Sequence, residues 1–370
     1  MTSHMNIRLN KLSQFLKERG VSNLLVSSPS NIFYLTGFRG LAPWEREVFL
    51  LYQNKIFTLI TDNRYEAQVH NIKDVHISIT ESGQNYYQKI ISIITINRQL
   101  STNNQLSFEY RDLKYLEFEY FGRLLPGIVL EPQDGIVEEL RVVKDSDEVN
   151  TLSEACRITD QVFDAISRDD LVGKTEAEVS FLIETLSHKF GGEGNSFIPI
   201  VATGANSSLS HHRPDSTKIT EGPLFVDFGV KYKGYTSDIT RTYFVRRGEV
   251  PSPTEYNEFN ETYVKILEAQ QTAIDKIKPG MLGKEAYQLA YDVLSRHDLA
   301  RYFHHSLGHG VGIDIHENPR LSKTSSMTLQ ENMVFTVEPG VYIPGKFGIQ
   351  IEDTVLLTQS GCKVLTKASK

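Results

Sequence analysis

Leu224-Phe225-Val226-Asp227-Phe228-Gly229 and, a few residues on, Tyr235-Thr236-Ser237-Asp238-Ile239-Thr240 are the stretches on which the reading of this chain turns. Each is strand-like and rich in apolar, aromatic and β-branched residues, and each holds one aspartate. A hairpin centred on Tyr232 and Lys233, beside Gly234, sets Asp227 and Asp238 directly opposite each other on one sheet face. Like charges so placed are destabilising unless something positive lies between them, and a metal ion is the economical candidate. A second pair repeats the design. Glu338 and Glu352 are equidistant from Gly345, which lies inside the turn-forming run Pro344-Gly345-Lys346-Phe347-Gly348. Val334, Thr336 and Glu338 share one parity on the outgoing strand and Gln350 and Glu352 share it on the return, while Ile349 and Ile351 point the other way.

His309 adds a nitrogen from Leu307-Gly308-His309-Gly310-Val311-Gly312, whose glycines let the backbone approach a neighbour or ligand closely. Asp227, Asp238, His309, Glu338 and Glu352 thus form a set of four carboxylates and one imidazole whose charge two divalent cations balance. Such an oxygen-rich set suits Mn2+, with Co2+ or Zn2+ as alternatives. Two cations sharing carboxylates would sit roughly 3.5–4 Å apart and activate a bridging water as nucleophile. Hydrolysis through a tetrahedral intermediate also needs oxyanion donors and a proton shuttle, for which His211, His305 and His316 are candidates, with His212 a rival to His211. The remaining histidines, His70, His76, His188, His297 and His304, are read as structural. No Gly-x-Ser-x-Gly elbow is present, and Cys156 lies in a helical pattern as a core residue.

Outward from these motifs, the second half reads as helix–helix–strands, twice. One helix starts near Asp147, and a second follows a Thr175/Glu178 capping box. A third has Ser252 as cap and Pro253 at its first turn, and a fourth runs over 284–297. The order predicts a pseudo-duplicated α+β unit at 145–370, with a curved antiparallel sheet inside and helices outside. The first half alternates short apolar strands (21–26, 48–52, 55–60, 75–79) with helical patterns, which predicts an α/β domain at 6–135 and a linker near 125–134. The first helical pattern is amphipathic through Ile7, Leu9, Leu12, Phe15 and Leu16, a stripe expected to pack on a core. Met1-Thr2-Ser3-His4-Met5 reads as an added leader, so His4 is set aside.

Composition narrows the partners. In 370 residues, 40% are hydrophobic and 23% charged, with a formal net charge of −7. That balance gives no electrostatic encouragement to nucleic-acid binding, and no apolar run approaches a membrane span. Two cysteines, Cys156 and Cys362, make neither a zinc motif nor a disulfide framework, and their use fits a cytoplasmic setting.

Taken in order, Asp227-Phe228-Gly229, Ser237-Asp238-Ile239-Thr240-Arg241-Thr242, Gly308-His309-Gly310-Val311-Gly312, His316-Glu317-Asn318-Pro319, Val337-Glu338-Pro339-Gly340 and Ile351-Glu352-Asp353 resemble the motifs of the pita-bread metallopeptidases. The resemblance is to the Xaa-Pro aminopeptidase and Xaa-Pro dipeptidase (prolidase) branch, and it covers nearly the whole chain. Asn31-Ile32-Phe33-Tyr34-Leu35-Thr36-Gly37-Phe38 is similar to the signature of that branch's creatinase-like N-terminal domain. The resemblance implies that the five residues above ligate two metals, with Asp238 and Glu352 bridging. It implies substrate-side roles for His211, His305 and His316, and Glu338 as proton acceptor for the bridging water.

It further implies proline-containing peptides as substrates and a homodimer. The segment Phe197-Ile198-Pro199-Ile200-Val201-Ala202-Thr203-Gly204 is closer to the aminopeptidases, so an Xaa-Pro aminopeptidase is the first reading and a prolidase the second. A creatinase-like hydrolase and a catalytically inactive binding module are the more distant alternatives. Phe38, Tyr232 or Tyr235 could line a pocket for the proline ring. The chain departs from the resemblance at Gln350, where an arginine is usual, and at Ser210, where proline is common.

Overall fold

In a computed structural model, which describes residues 4–42, 45–81, 83–96, 104–247 and 253–370, the chain divides into two units, Met1–Arg141 and Val142–Lys370. The first unit runs α1 (His4–Glu18), β1 (Asn23–Val26), α2 (Pro29–Thr36), β2 (Val48–Gln53), β3 (Ile56–Thr61), α3 (Glu66–Val69), β4 (His76–Ile79), α4 (Tyr86–Ile96), β5 (Gln105–Glu109), α5 (Tyr115–Leu124), β6 (Val129–Gln133) and α6 (Ile136–Val142). Its strands form one mixed sheet in the order β4-β3-β2-β1-β5-β6. The antiparallel β2–β3 pair closes through Asn54 and Lys55, both at positive φ (51° and 64°), the backbone that a two-residue hairpin matching strand twist requires. Leu9, Leu12 and Leu16 of α1 are buried, as its apolar stripe predicts, while Ile7 is exposed. The stretch 125–134 is no linker. It contains β6, paired in parallel with β5, and the division falls later, inside the last turn of α6.

The second unit runs α7 (Ser146–Ser167), α8 (Glu176–Lys189), β7 (Ile200–Thr203), β8 (Gly222–Phe228), β9 (Lys231–Tyr232), β10 (Tyr235–Thr236) and β11 (Ile239–Val245). The same order then returns as α9 (Pro253–Lys276), α10 (Gly283–Arg296), β12 (Gly308–Gly310), β13 (Glu317–Leu321), β14 (Val334–Val337), β15 (Gly340–Ile343), β16 (Phe347–Gln350), β17 (Asp353–Thr358) and β18 (Gly361–Val364). Each half has its own core. Ile158, Val162, Val179 and Ile183 of α7 and α8 cover Val201, Leu224 and Val226, and Ile266, Ala273, Ala290 and Leu294 of α9 and α10 cover Phe335, Ile349 and Val355. Every strand pair in this unit is antiparallel.

The caps follow the sequence where it signals them. Thr175 Oγ1 accepts from the Glu178 N–H at 3.1 Å, and Glu178 Oε2 accepts from the Thr175 N–H at 2.7 Å; such a cap contributes on the order of 1 kcal/mol. Asp145 and Glu148 make an equivalent box at the start of α7. Ser252, the expected cap of α9, lies outside the described residues.

The two halves are stitched where their sheets meet. The Glu352 N–H donates to Thr240 O at 3.1 Å, and Thr242 Oγ1 donates to Gln350 O at 3.0 Å. That seam holds the candidate ligands.

Candidate metal centre

The first aspartate pair is offset from its expected geometry. The turn between β9 and β10 is Lys233-Gly234, both at positive φ (46° and 81°), and it pairs Tyr232 with Tyr235. The β8–β11 ladder keeps this register, so Asp227 faces Thr240 instead of Asp238. Asp238 falls two residues away on the same face, a diagonal neighbour of Asp227, because the turn centre lies one residue later than Tyr232–Lys233. The glutamate pair matches its expected geometry. The ladder is in one register on both sides, Val337 with Asp353 and Gly340 with Gln350, which leaves Glu338 facing Glu352. Ile349 and Ile351 are buried on the opposite face.

His309 enters from β12 between two close backbone approaches. A Cβ at Gly308 would meet Thr336 O at 1.9 Å, and one at Gly310 would meet Asn318 O at 2.1 Å, so neither position tolerates a side chain. His309 Nε2 lies 3.5 Å from Asp238 Oδ2 and 3.3 Å from Glu338 Oε1. Ligand atoms of Asp238, His309 and Glu352 all fall within 4.8 Å of one another.

The electrostatics of this cluster are unbalanced by the protein alone. Burial pushes Asp227 up to about 7 and Glu338 up to about 8. Burial, with the charges of Asp227 and Glu338, drives Asp238 well above the carboxylate range, and burial with the charges of its three acidic neighbours does the same to Glu352. Burial also depresses His309 to about 3, so its imidazole is neutral and no ion pair answers the carboxylates. Its Nδ1 lies 3.1 Å from Gly310 O, which only accepts, so Nδ1 carries the hydrogen and the Nε2 lone pair faces the carboxylate oxygens. Lone pair against oxygen is repulsive unless a proton or a cation lies between them.

The hydrogen bonds sharpen this. Asp227 Oδ1, Asp238 Oδ1 and Glu352 Oε1 are buried with no donor among the described residues. The other oxygen of Glu352 and both oxygens of Glu338 are held from behind. Thr240 Oγ1 donates to Glu352 Oε2 at 2.6 Å, Thr336 Oγ1 to Glu338 Oε1 at 2.8 Å, and Gln350 Nε2 to Glu338 Oε2 at 3.2 Å. Orphaned, converging oxygens beside an imidazole lone pair fit divalent cations, and four carboxylates match the charge of two.

The site opens into a cavity of about 710 Å3. His211, His305 and His316 all line it. His305 is held neutral by burial, at about 4, and its Nδ1 lies 2.8 Å from Ser306 O, which leaves Nε2, buried and without a hydrogen-bond partner among the described residues, as an acceptor. His316 meets His309 edge-on at 4.4 Å between ring centroids. His212 is committed elsewhere: its Nε2 lies 2.6 Å from Glu176 Oε2, whereas His211 is exposed on the rim.

The aromatic walls are Phe197 and Tyr342. Phe38 instead packs against Tyr65 in the first unit, and the Tyr235 hydroxyl donates to Glu148 at 3.2 Å, while Tyr232 packs against the first-half core of the second unit. Two cavity residues escape a reading based on metal motifs. Arg320, the cross-strand partner of His309, and Arg213, two residues past His211, both line the cavity, and neither side chain makes a hydrogen bond or ion pair among the described residues. Their sequence signal is proximity to a candidate histidine, nothing more.

Among the described residues no helix is long and apolar enough to cross a membrane.

Comparisons with known proteins agree in family. Residues 150–359 match the model of metallopeptidase family M24, and residues 8–143 match the creatinase/prolidase N-terminal domain. The chain is 33% identical to the Xaa-Pro dipeptidase of Pyrococcus furiosus, over 99% of each protein. It is 33% identical to a putative Xaa-Pro aminopeptidase of Mycoplasma genitalium, over 100% of this chain and 99% of that one. Among solved structures, an Xaa-Pro dipeptidase from Bacillus anthracis superposes with a TM-score of 0.90 at 34% identity, covering 99% of both chains.

Proposed function

The chain belongs to metallopeptidase family M24, with a creatinase/prolidase domain ahead of its pita-bread unit, and from that premise we propose that it is a two-metal Xaa-Pro aminopeptidase. The observation that carries the reading is the set of buried, donorless oxygens on Asp227, Asp238 and Glu352, converging with the Nε2 lone pair of His309. Those residues and Glu338 would hold two divalent cations, most simply Mn2+. When bound, the cations supply Lewis acidity and lower the pKa of a water that attacks the peptide carbonyl.

The chain's own residues do the rest. Glu338, steadied by Thr336 and Gln350, is placed to take a proton. His305 presents an unprotonated Nε2 to the substrate, a site for a peptide N–H. Tyr342 and Phe197 offer apolar walls to a proline ring. Support for an aminopeptidase comes from space. The cavity adjoins a trough of about 790 Å3 with which it shares the walls Phe197, Ile198, Arg213 and Pro214, room for a peptide that extends past its second residue.

A second reading, Xaa-Pro dipeptidase, is favoured by Arg320, a cation in the metal-side cavity that makes no hydrogen bond or close ion pair among the described residues, suited to the carboxylate of a dipeptide. The experiment is a comparison of an Xaa-Pro dipeptide with an Xaa-Pro-Xaa tripeptide on the Mn2+-loaded protein, alongside calorimetric metal binding. Two ions per chain and faster tripeptide cleavage are expected. Cleavage confined to the dipeptide makes the protein a prolidase, and no metal binding at all sinks both readings.

A further inference from the structure

We infer that Arg213 is a second carboxylate-binding subsite, one that reads the free C-terminus of a peptide longer than a dipeptide. The inference rests on the hydrolase reading above. Its starting point is where Arg213 stands. Phe197, Ile198, Arg213 and Pro214 are common to the walls of the metal-side cavity and of the adjoining trough, so they mark the place where the two spaces meet. Arg320 lines the metal-side cavity alone. The protein therefore offers two guanidinium groups at two stations, one beside the metal ligands and one at the exit.

The second observation is that the backbone carrying Arg213 is pinned while its head is not. On one side the His212 N–H donates to Leu209 O at 3.0 Å, and the His212 ring donates to the buried Glu176 carboxylate at 2.6 Å. On the other side Asp215 O accepts from the Ala177 N–H at 3.0 Å, and Asp215 Oδ1 accepts from the Thr217 N–H at 2.7 Å. Glu176 also accepts from the Thr203 N–H at 2.8 Å and from Asn206 Nδ2 at 3.1 Å, tying the whole loop to the start of α8. Between these anchors the Arg213 guanidinium has no hydrogen bond or ion pair among the described residues.

The acids that share its trough are engaged elsewhere. Glu184 Oε1 lies 3.2 Å from His188 Nε2, and Glu193 Oε2 accepts from the Gly234 N–H at 3.0 Å. A planar five-donor cation on a fixed loop, at the exit of a site open to peptides, is suited to a carboxylate. For a substrate cut after its first residue, the group that reaches the exit is the far end of the peptide. A dipeptide's carboxylate stays with Arg320, and a tripeptide's reaches Arg213.

The test compares an Xaa-Pro-Ala tripeptide with its C-terminal amide on the Mn2+-loaded full chain. The wild type is expected to favour the free acid about fivefold in kcat/KM, mainly through KM, as a partly exposed ion pair allows. In Arg213→Gln that ratio collapses to about one, and in Arg213→Lys part of it returns. The subsite is overturned if the wild type does not distinguish acid from amide, or if Arg213→Gln keeps the full preference. A wild type that cleaves neither tripeptide nor dipeptide refutes the hydrolase reading itself, and the subsite with it.

Discussion

Glu109 in the first unit and Glu352 in the second are both buried carboxyls, 5% and 1% exposed, and burial raises both, Glu109 to about 7. Their surroundings are opposite. Glu109 Oε2 accepts from the Ser27 and Ser28 N–H groups at 2.7 Å each, and its Oε1 accepts from Asn31 Nδ2. Glu352 Oε1 has no donor among the described residues, and two of its acidic neighbours, Asp238 and Asp227, each leave an oxygen bare as well. Between these two carboxyls a raised pKa does not separate the structural acid from the candidate ligand, whereas the unanswered oxygen does. The criterion needs the cluster beside it, since Glu338 receives donors on both oxygens and Glu138 Oε2 is bare outside the cluster.

The residue after Glu352 makes the same point at closer range. Asp353 is fully buried, yet Arg241 Nη2 donates to its Oδ1 at 2.8 Å, Lys370 Nζ lies 2.6 Å from its Oδ2, and Thr366 Oγ1 donates at 2.9 Å. Adjacent acids on one chain segment thus face opposite ways, one towards cations the protein supplies, the other into the candidate metal centre.

The largest effect expected from this contrast is on activity. Glu352→Gln and Asp238→Asn should each lower kcat by about 10^4-fold or more, the scale of losing one member of a catalytic unit, and reduce bound metal below two ions per chain. Glu109→Gln should keep both metal ions. If Glu352→Gln retained two ions and normal turnover, the bare oxygen would have no diagnostic value.

Stability should reverse the order of the neighbours. Asp353→Asn leaves Arg241 buried without its carboxylate, and should cost about 3–5 kcal/mol whether or not metal is present. Glu352→Gln should leave the chelated protein about as stable as before, because it replaces a buried carboxyl whose ionisation burial already disfavours and whose Oε1 has no donor among the described residues. What it loses is the gain from metal, about 2.7 kcal/mol at a hundredfold excess over Kd. Thermal melts with and without chelator separate the two cases. Equal losses in both variants would erase the distinction.

The pH dependence comes next in size. The folded pKa of Glu109, about 7, lies above the ordinary glutamate value of 4.5, so the folded state holds its proton more tightly than the unfolded chain does. Its contribution is fully present below about 4.5 and is lost as pH rises through about 7, amounting to about 3 kcal/mol. Denaturant melts of metal-loaded protein at about pH 5 and about pH 8 should show the wild type losing stability, and Glu109→Gln showing a flatter slope by roughly that amount. An unchanged slope would mean that Glu109 titrates normally.

Much of this contrast was legible in the sequence, for local reasons. Alternation and turn chemistry in 334–352 are enough to bring Glu338 and Glu352 face to face, since proline and glycine leave one plausible turn centre. The aspartate hairpin offered two glycine-adjacent centres, and the reading that set Asp227 opposite Asp238 missed the pairing of Lys233 with Gly234 as the turn. Strand β6 reads as a linker in sequence because its pairing partner β5 gives no signal within 125–134 itself. Long-range satisfaction was not legible at all. Nothing near Glu352 and Asp353 in sequence says that Arg241 and Lys370 come to one of them and not the other, and the same holds for Glu176 reaching His212. The Arg241 contact exists only once the two halves of the second unit close on each other, and the other two only once segments distant in sequence fold together within one half.

The smallest expected effect concerns how the acids are steadied. The Tyr342 hydroxyl donates to Gln350 Oε1. That bond fixes the amide so that Nε2 points at Thr240 Oγ1 (3.1 Å), Glu338 Oε2 (3.2 Å) and Glu352 Oε2 (3.5 Å). Tyr342→Phe keeps the ring that packs against His305 and Phe225 but removes the donor, so the amide is free to turn its oxygen towards the carboxylates. Metal affinity should fall about tenfold, as for other partners that orient a ligand from behind, while the chelated protein loses no more than about 1.5 kcal/mol. Calorimetric titration with Mn2+ reads the first quantity and a denaturant melt the second. If affinity stays while stability falls, Tyr342 and Gln350 belong with Glu109 among the structural groups, and the boundary of the candidate metal centre contracts to the acids, His309 and their threonines.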